Sequence, residues 1–373
     1  MALSMIFGGF GGYAMIMIGK HIVPEWFAVA MFSKSDAMGL LIAFPVMYVL
    51  TIAIHELGHL AGALASGFKF RVLTIGPFSL ISTAHGLQFR MAWSVVTMIG
   101  GQQISAPPPG GGTARQYLVY LAGGGVANAV AGLALVGVAS AGALPPMWIG
   151  ILLMGAALNL FLGPLNLLPL SMRNGIRTDG YNMRTLLRGG ARAARFRAVF
   201  ELIGHSFAGT RPRDWRDDIL SELLMGEPNG LETVLAHLMV LQVALDRADV
   251  NTVRVACEKI VAQYSDVPAA LRGQFATELV TAYALFLDDT ESAARFDADV
   301  NAKSYLISPA TILRSRAALA YAKGQHEESR AAIAQGRKVL HRSTMELDHV
   351  METHWFDLIE KRIANQSMVQ AKP

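Results

Sequence analysis

Residues 116–172 contain no aspartate, glutamate, lysine, arginine or histidine. A water-exposed fold needs charge on its outer face, so an ordinary soluble domain is excluded for this stretch. Charge is scarce overall, at 16% of residues against about 25% in soluble domains. Residues 1–19 also carry no charged side chain. They lack the basic start and small-residue cleavage site of a secretory signal, and are read as a candidate first span. Their glycines (Gly8, Gly9, Gly11, Gly12) are tolerated in membrane helices. The single cysteine, Cys257, excludes an intrachain disulfide.

What is present falls into two halves. A bilayer core about 30 Å thick takes about 20 apolar residues in a helix. Residues 38–64 satisfy this, with Pro45 inside, and 116–172 is long enough for two spans. Pro145 and Pro146 divide it into 117–143 and 147–170, an antiparallel pair. Between the first and second of these spans, FKFRVLTIGPFSLIS and GLQFRMAWSVV are rich in β-formers and predict two or more short strands between 68 and 92. GGQQISAPPPGGG, 100–112, is dominated by Gly and Pro and is expected to be irregular. His85, between the two β-rich runs, is expected to be exposed.

Beyond Arg173 the composition is that of soluble protein. The chain of 373 residues has room for two or three domains. The expected fold is a membrane α-helical protein: a three-span core, a candidate N-terminal span, a small β-rich loop and a cytosolic all-α C-terminal domain. The expected divisions are 1–37 for the candidate span and its linker, 38–190 for the membrane core, 191–230 for a linker and 231–373 for the helical domain. Within the last, 318–340 reads as a helix, a turn at Gly324 and a second helix, which faintly resembles half of a tetratricopeptide repeat. No clean period recurs upstream, so a helical-hairpin solenoid and a non-repeating helical domain both stay open.

Lysine and arginine set the orientation. The 66–115 loop holds Lys69, Arg71, Arg90 and Arg115; after the last span come Arg173, Arg177, Arg184, Arg188, Arg192, Arg195 and Arg197. Both segments are expected on the cytoplasmic side. The arginine cluster is read as a positive-inside flank rather than a nucleic-acid surface, so the lipid bilayer is an expected partner and nucleic acid is not.

IAIHELGHLAG, 52–62, places His55, Glu56 and His59 in the middle of an apolar run. The histidines are four apart and share one face of a helix. Two imidazoles at that spacing can hold one Zn²⁺, and Glu56 stands in the general-base position of this motif. An ionisable residue inside a span costs several kcal/mol on insertion scales; three within five residues call for a bound cation. A catalytic zinc takes three protein ligands and leaves one place for water. The first acidic residue after the uncharged block is Asp179, in NLLPLSMRNGIRTDG. It lies past the cytoplasmic end of the last span, at a depth close to that of His55.

HELGH in a span, the Gly- and Asn-rich AGGGVANAVAGL in the next and the Asn-x-x-Pro…Asp-Gly ending a third together resemble the site-2 protease family of intramembrane zinc metalloproteases. The resemblance covers 38–190. It implies one Zn²⁺ per chain held by His55, His59 and Asp179, with Glu56 as the catalytic acid and base. It also implies a role for Asn166 in positioning substrate or stabilising the oxyanion, an interhelical hydrogen bond being the alternative. The substrate would be a membrane protein or peptide, cut near the cytoplasmic face of a bacterial inner membrane. In one respect the chain departs from many members: Asp179 comes ten positions after Pro169 rather than directly after the Asn-x-x-Pro. Asn128 is read as an interhelical packing residue; Asn159 has no counterpart to carry over.

The C-terminal histidines (His205, His237, His326, His341, His349, His354) form no pair at ligand spacing with an acidic partner that points to a metal site. That domain is read as a module for a protein partner, substrate selection or self-association. Two other readings compete with proteolysis: a non-proteolytic zinc-binding membrane scaffold that recruits partners through the helical domain, and a metal-ion transporter. An intact Glu56 argues against the first, two uncharged spans against the second.

Overall fold

A computed structural model of the protein describes residues 34–83, 86–91, 100–108, 110–141, 144–171, 177–225, 231–300, 307–340 and 346–370. The candidate span at 1–19, His85 and Arg173 lie outside them. The chain divides into two compact units, one ending at Gly189 and the other beginning at Gly190.

The first unit is built on three apolar helices, α1 (Lys34–Ala65), α2 (Ala114–Ser140) and α3 (Pro146–Leu167), which pack on one another. Each is long and apolar enough to cross a membrane, over 28, 27 and 22 residues. At about 1.5 Å per residue even the shortest exceeds the hydrocarbon core. Leu41, Ile42, Val130 and Leu133 on these helices are exposed, a surface that suits lipid and not water. Pro45 sits inside α1 without ending it, as membrane helices allow. α3 ends three residues before the expected boundary, because Leu168 is extended ahead of Pro169, where the proline ring disfavours the helical conformation.

Two contacts fix how these helices meet. A Cβ on Gly58 would run into the Gly123 carbonyl and Ala127, and one on Gly123 into the Gly58 carbonyl. The α1 and α2 backbones therefore nearly touch at the centre of HELGH, as small residues permit in membrane helix pairs. Asn159, 1% exposed, donates to Thr51 Oγ1 of α1 at 3.0 Å and to the Gly155 carbonyl at 2.8 Å. Asn128 is buried in α2, where a Cβ on Gly163 of α3 would meet its own Cβ. The packing reading of Asn128 matches this place at the α2–α3 crossing.

The β-rich loop forms one antiparallel sheet in the order β3-β2-β1-β4, from β1 (Lys69–Ile75), β2 (Phe78–Thr83), β3 (Gly86–Met91) and β4 (Gly101–Ala106). β4 corrects the sequence expectation, which took 100–112 as irregular. Its Gly and Gln content is poor for a strand, but β1 supplies a partner from Lys69↔Ala106 to Ile75↔Gly101. Tertiary pairing overrides intrinsic preference here. Beyond Ala106 the described Pro- and Gly-rich residues do remain outside any strand.

A short helix, α4 (Asp179–Arg188), completes the first unit. Among the described residues from Gly190 onward the regular elements are helices: α5 (Gly190–Phe207), α6 (Asp217–Leu224), α7 (Leu231–Asp246), α8 (Val250–Ala262), α9 (Ala269–Leu285), α10 (Thr290–Asp297), α11 (Pro309–Ala322), α12 (His326–Val339) and α13 (Glu346–Gln370). The segment read as a linker, 191–230, carries α5 and α6. Their Ala198, Leu202, Ile219 and Leu223 belong to the same core as Leu241, Ile260, Phe275 and Phe356. That apolar spacing is ordinary helix amphipathicity, which the turn-forming RPRDW and EPNG sequences obscured. The expected hairpin is present: α11 and α12 are joined at Gly324, whose φ of 74° suits glycine.

Arg314 is the largest side chain fully buried in this unit. It donates two hydrogen bonds to the Glu278 carboxylate, at 3.0 and 2.9 Å, and its Nε lies 3.2 Å from Glu352 Oε2. Removing it leaves the buried Glu352 and the half-buried Glu278 without a counter-charge. Arg314→Met should cost about 3–5 kcal/mol, read as a fall in the urea concentration at which residues beyond Gly190 become open to protease. An unchanged midpoint would mean the group is solvated.

Candidate metal centre

His55 and His59 stand one turn apart on α1, and their Nε2 atoms are 3.1 Å from each other. The Asp179 Oδ2 lies 3.5 Å from His55 Nε2 and 3.1 Å from His59 Nε2. A tetrahedral ion with bonds of about 2.0–2.1 Å separates its ligand atoms by about 3.3–3.4 Å. The three observed separations bracket that value. Among the described residues this is the one such trio of His, Cys, Asp or Glu side chains. Among the described residues, none of His205, His237, His326, His349 and His354 joins another such trio; His341 lies outside them.

The tautomer of His59 follows from its neighbour. Its Nδ1 is 2.9 Å from the Tyr120 carbonyl on α2. A carbonyl can only accept, so Nδ1 carries the hydrogen and Nε2 presents a lone pair to the other two donors. Two imidazoles and a carboxylate oxygen that share one point without a cation would repel. The donor set, the spacing and this tautomer fit a divalent metal of the zinc type.

Two glycines make room for the pair of imidazoles and the carboxylate beside them. A Cβ on Gly124 would lie 2.5 Å from His59 Nε2 and 2.7 Å from His55 Cε1. A Cβ on Gly101 of β4 would lie 2.6 Å from both Cγ and Oε1 of Glu56. Glu56 is 7% exposed, so β4 roofs the carboxylate next to the first histidine. Tyr120 ties this roof to α2, its hydroxyl donating to the Gln103 carbonyl at 2.8 Å. Gly124→Ala forces a methyl group against both imidazoles. It should lower metal content and activity by about 10–100-fold, the range seen when groups that orient ligands are lost. Normal metal stoichiometry in that variant would show that the ring positions are free to shift.

Asp179 reaches the histidines because the chain doubles back. Thr178 N donates to the Leu170 carbonyl at 3.1 Å, Leu170 N donates to Thr178 Oγ1 at 3.0 Å, and Ser171 bridges Arg177. Leu170 and Ser171 are thus held against Arg177 and Thr178, and Asp179 re-enters beside the end of α3. Thr178 then caps α4, accepting from Tyr181 N. Gly180 packs against the Leu167 carbonyl with no space for a side chain, which accounts for the Asp-Gly pair.

Asn166, near the C-terminal end of α3, touches two of the donors. Its amide nitrogen is 2.9 Å from His55 Nε2 and hydrogen-bonds Asp179 Oδ2, while its Oδ1 accepts from Asp179 N at 3.4 Å. His55, His59, Asp179 and Asn166 therefore meet at one place, with Glu56 next to His55 on α1. Sequence reasoning missed Tyr120, Gly124, Gly101 and Thr178. Only Gly124 carried a signal, as part of AGGG, and there it stood for helix packing.

No protein-family model, no curated protein and no solved structure matches the chain significantly.

Proposed function

We propose that this protein is an intramembrane zinc metalloprotease that hydrolyses peptide bonds of membrane-spanning substrates near the cytoplasmic face, as in the site-2 protease family. The reading rests on the meeting of His55, His59 and Asp179 with Glu56 adjacent on the same helix. When bound, zinc acidifies a coordinated water and polarises a carbonyl.

The chain's residues supply the remaining chemistry. Glu56 takes the proton from the attacking water and passes it to the leaving nitrogen, so the C–N bond breaks to a carboxylate and an amine. Enclosure under β4 keeps it in a low-dielectric setting. Asn166 has an amide group within reach of the same point and is assigned to hold the substrate carbonyl. A helical substrate hides its backbone in its own hydrogen bonds and must unwind locally. Strand addition offers an extended segment new partners. Of the two strands that end the sheet, β3 lies three strand spacings, about 14 Å, from β4, and β4 is the one that meets Glu56. An extended segment beside β4 has its backbone in range of the base.

The lysine and arginine flanks support a cytoplasmic placement of the sheet and of the second unit; the bacterial inner membrane follows from the family resemblance alone. The test is direct. Purified protein in liposomes is given a single-span peptide, and products are read by mass spectrometry. Cuts in the cytoplasmic third that stop with o-phenanthroline and resume with added zinc support the reading; an uncut panel of single-span peptides, with zinc present in the protein, counts against it.

A further inference from the structure

Helix α4 brings Asp179, its first residue, to the histidine pair, while its outer face is basic and open. Beyond Gly180, Leu186 is the one buried residue of this helix. Ten residues are fewer than the about 12–15 at which a helix holds on its own, so its place depends on what it touches. Arg184 and Arg188 stand one turn apart and are exposed. Leu187 beside them is 71% exposed, as much as Leu41 on the apolar span α1, at 68%. Tyr181 lies one turn before Arg184, with the Arg177 guanidinium 4.8 Å from its ring centre. Among the described residues neither Arg184 nor Arg188 has an ion-pair partner. Asp179 is the one acidic residue from 167 to 200, where seven arginines stand. The helix begins at the level where α3 stops, because Gly180 packs on the Leu167 carbonyl. Leu168 and Leu170, which follow α3, are exposed as well. Exposed leucines at the end of a span, then arginines and a tyrosine, follow the order in which hydrocarbon gives way to headgroups.

We propose that this face of α4 binds anionic phospholipid of the surrounding bilayer, and that the bound lipid holds Asp179 at the metal centre. Arg184 and Arg188 take the headgroup phosphates, which match the guanidinium fork, and Leu187 enters the upper acyl chains. A zwitterionic headgroup brings its own cation and cancels the attraction. A free phosphate or a soluble acidic partner would satisfy the arginines but leave Leu187 unmatched. The coupling follows from the shortness of the helix: lipid adds an anchor to a segment whose first residue is the third ligand. By linkage, metal and lipid then favour each other's binding. The coupling rests on the metal-centre reading, and no part of the proposal requires proteolysis.

The test uses the full chain in phosphatidylcholine nanodiscs. Leu187→Cys takes a nitrobenzoxadiazole fluorophore, while the native Cys257, 1% exposed, stays unlabelled. Phosphatidylglycerol or phosphatidylcholine with a nitroxide high on the acyl chain is then titrated in. A basic side chain near an anionic surface contributes about fivefold in affinity, and two contribute about thirtyfold. Half-quenching is therefore expected at a fraction of phosphatidylglycerol about thirtyfold lower than of phosphatidylcholine. Arg184→Gln with Arg188→Gln changes exposed side chains only, should fold, and should abolish the difference; Arg184→Lys with Arg188→Lys should keep it. Without the label, zinc should pass to a chelator about fivefold more slowly in phosphatidylglycerol discs, and the double glutamine variant should lose that protection. Equal quenching by the two lipids, a preference that survives in the glutamine variant, or one rate of zinc release in both lipids each overturns the proposal. So does a label quenched by neither lipid but shielded by added polyglutamate or single-stranded RNA, which assigns the face to a soluble partner. Protein without zinc in either lipid refutes the metal reading and the coupling with it, while the quenching comparison still decides the lipid site.

Discussion

Glu56→Gln should reduce peptide cleavage by about 10²–10⁴-fold, the usual contribution of a positioned base, while one zinc per chain remains. Glutamine has the shape of glutamate and fits the same space under Gly101, where a Cβ would come within 2.6 Å of the side chain. It cannot accept and return a proton. The metal is held by other atoms, those of His55, His59 and Asp179, so its content should not follow activity down. The measurement pairs the cleavage rate with elemental analysis of the same sample. This result also separates the competing readings. A zinc-binding scaffold or a metal transporter has no use for a proton acceptor at this position, and either should behave like wild type. Cleavage that survives the substitution would refute the mechanism.

Asp179→Ala should remove both the metal and the activity. The carboxylate oxygen is 3.1 Å from His59 Nε2, and no other acidic side chain among the described residues joins the pair. Loss of a group that merely orients a ligand lowers affinity by about 10–100-fold, and loss of a direct ligand should exceed this. The fold should persist. His59 keeps its bond to the Tyr120 carbonyl, and the return of the chain to α3 is held by Thr178 and Leu170, not by Asp179. The informative readout is the zinc content of protein dialysed against a weak chelator. Full stoichiometry after dialysis would mean that the third ligand lies elsewhere. A variant empty of metal yet still cleaving would overturn the metalloprotease reading itself.

The difference between these two predictions reflects how the site is divided along the chain. His55, Glu56 and His59 lie within one helical turn and a residue of each other, and their juxtaposition needs nothing but the helix. Asn166 arrives from the far end of α3 and Asp179 from the start of α4. Their convergence on His55 depends on the packing of α1, α2 and α3 and on the hydrogen bonds between Leu170 and Thr178. The late position of Asp179 after Pro169, which set this chain apart from the family it resembles, is absorbed where Thr178 meets Leu170. In the second unit, Arg314 and its two glutamates come from three separate helices and are far apart in sequence. Nothing in the local pattern of each helix marks the group.

The sequence by itself determined the three apolar helices, the strands of the hairpin region, the helical hairpin around Gly324 and the pairing of two histidines with a glutamate. Each of these depends on periodicity or composition within a short window: a helix satisfies its backbone hydrogen bonds internally and shows its faces in its own spacing. Tertiary structure alone decided the rest. β4 is a strand because β1 lies beside it. Tyr120 orients His59 through a backbone carbonyl, a group every residue possesses. Gly124 and Gly101 matter for atoms they lack, against neighbours from distant segments. Local hydrogen bonding and burial period are written residue by residue, whereas contact between remote groups exists only once helices and strands have packed.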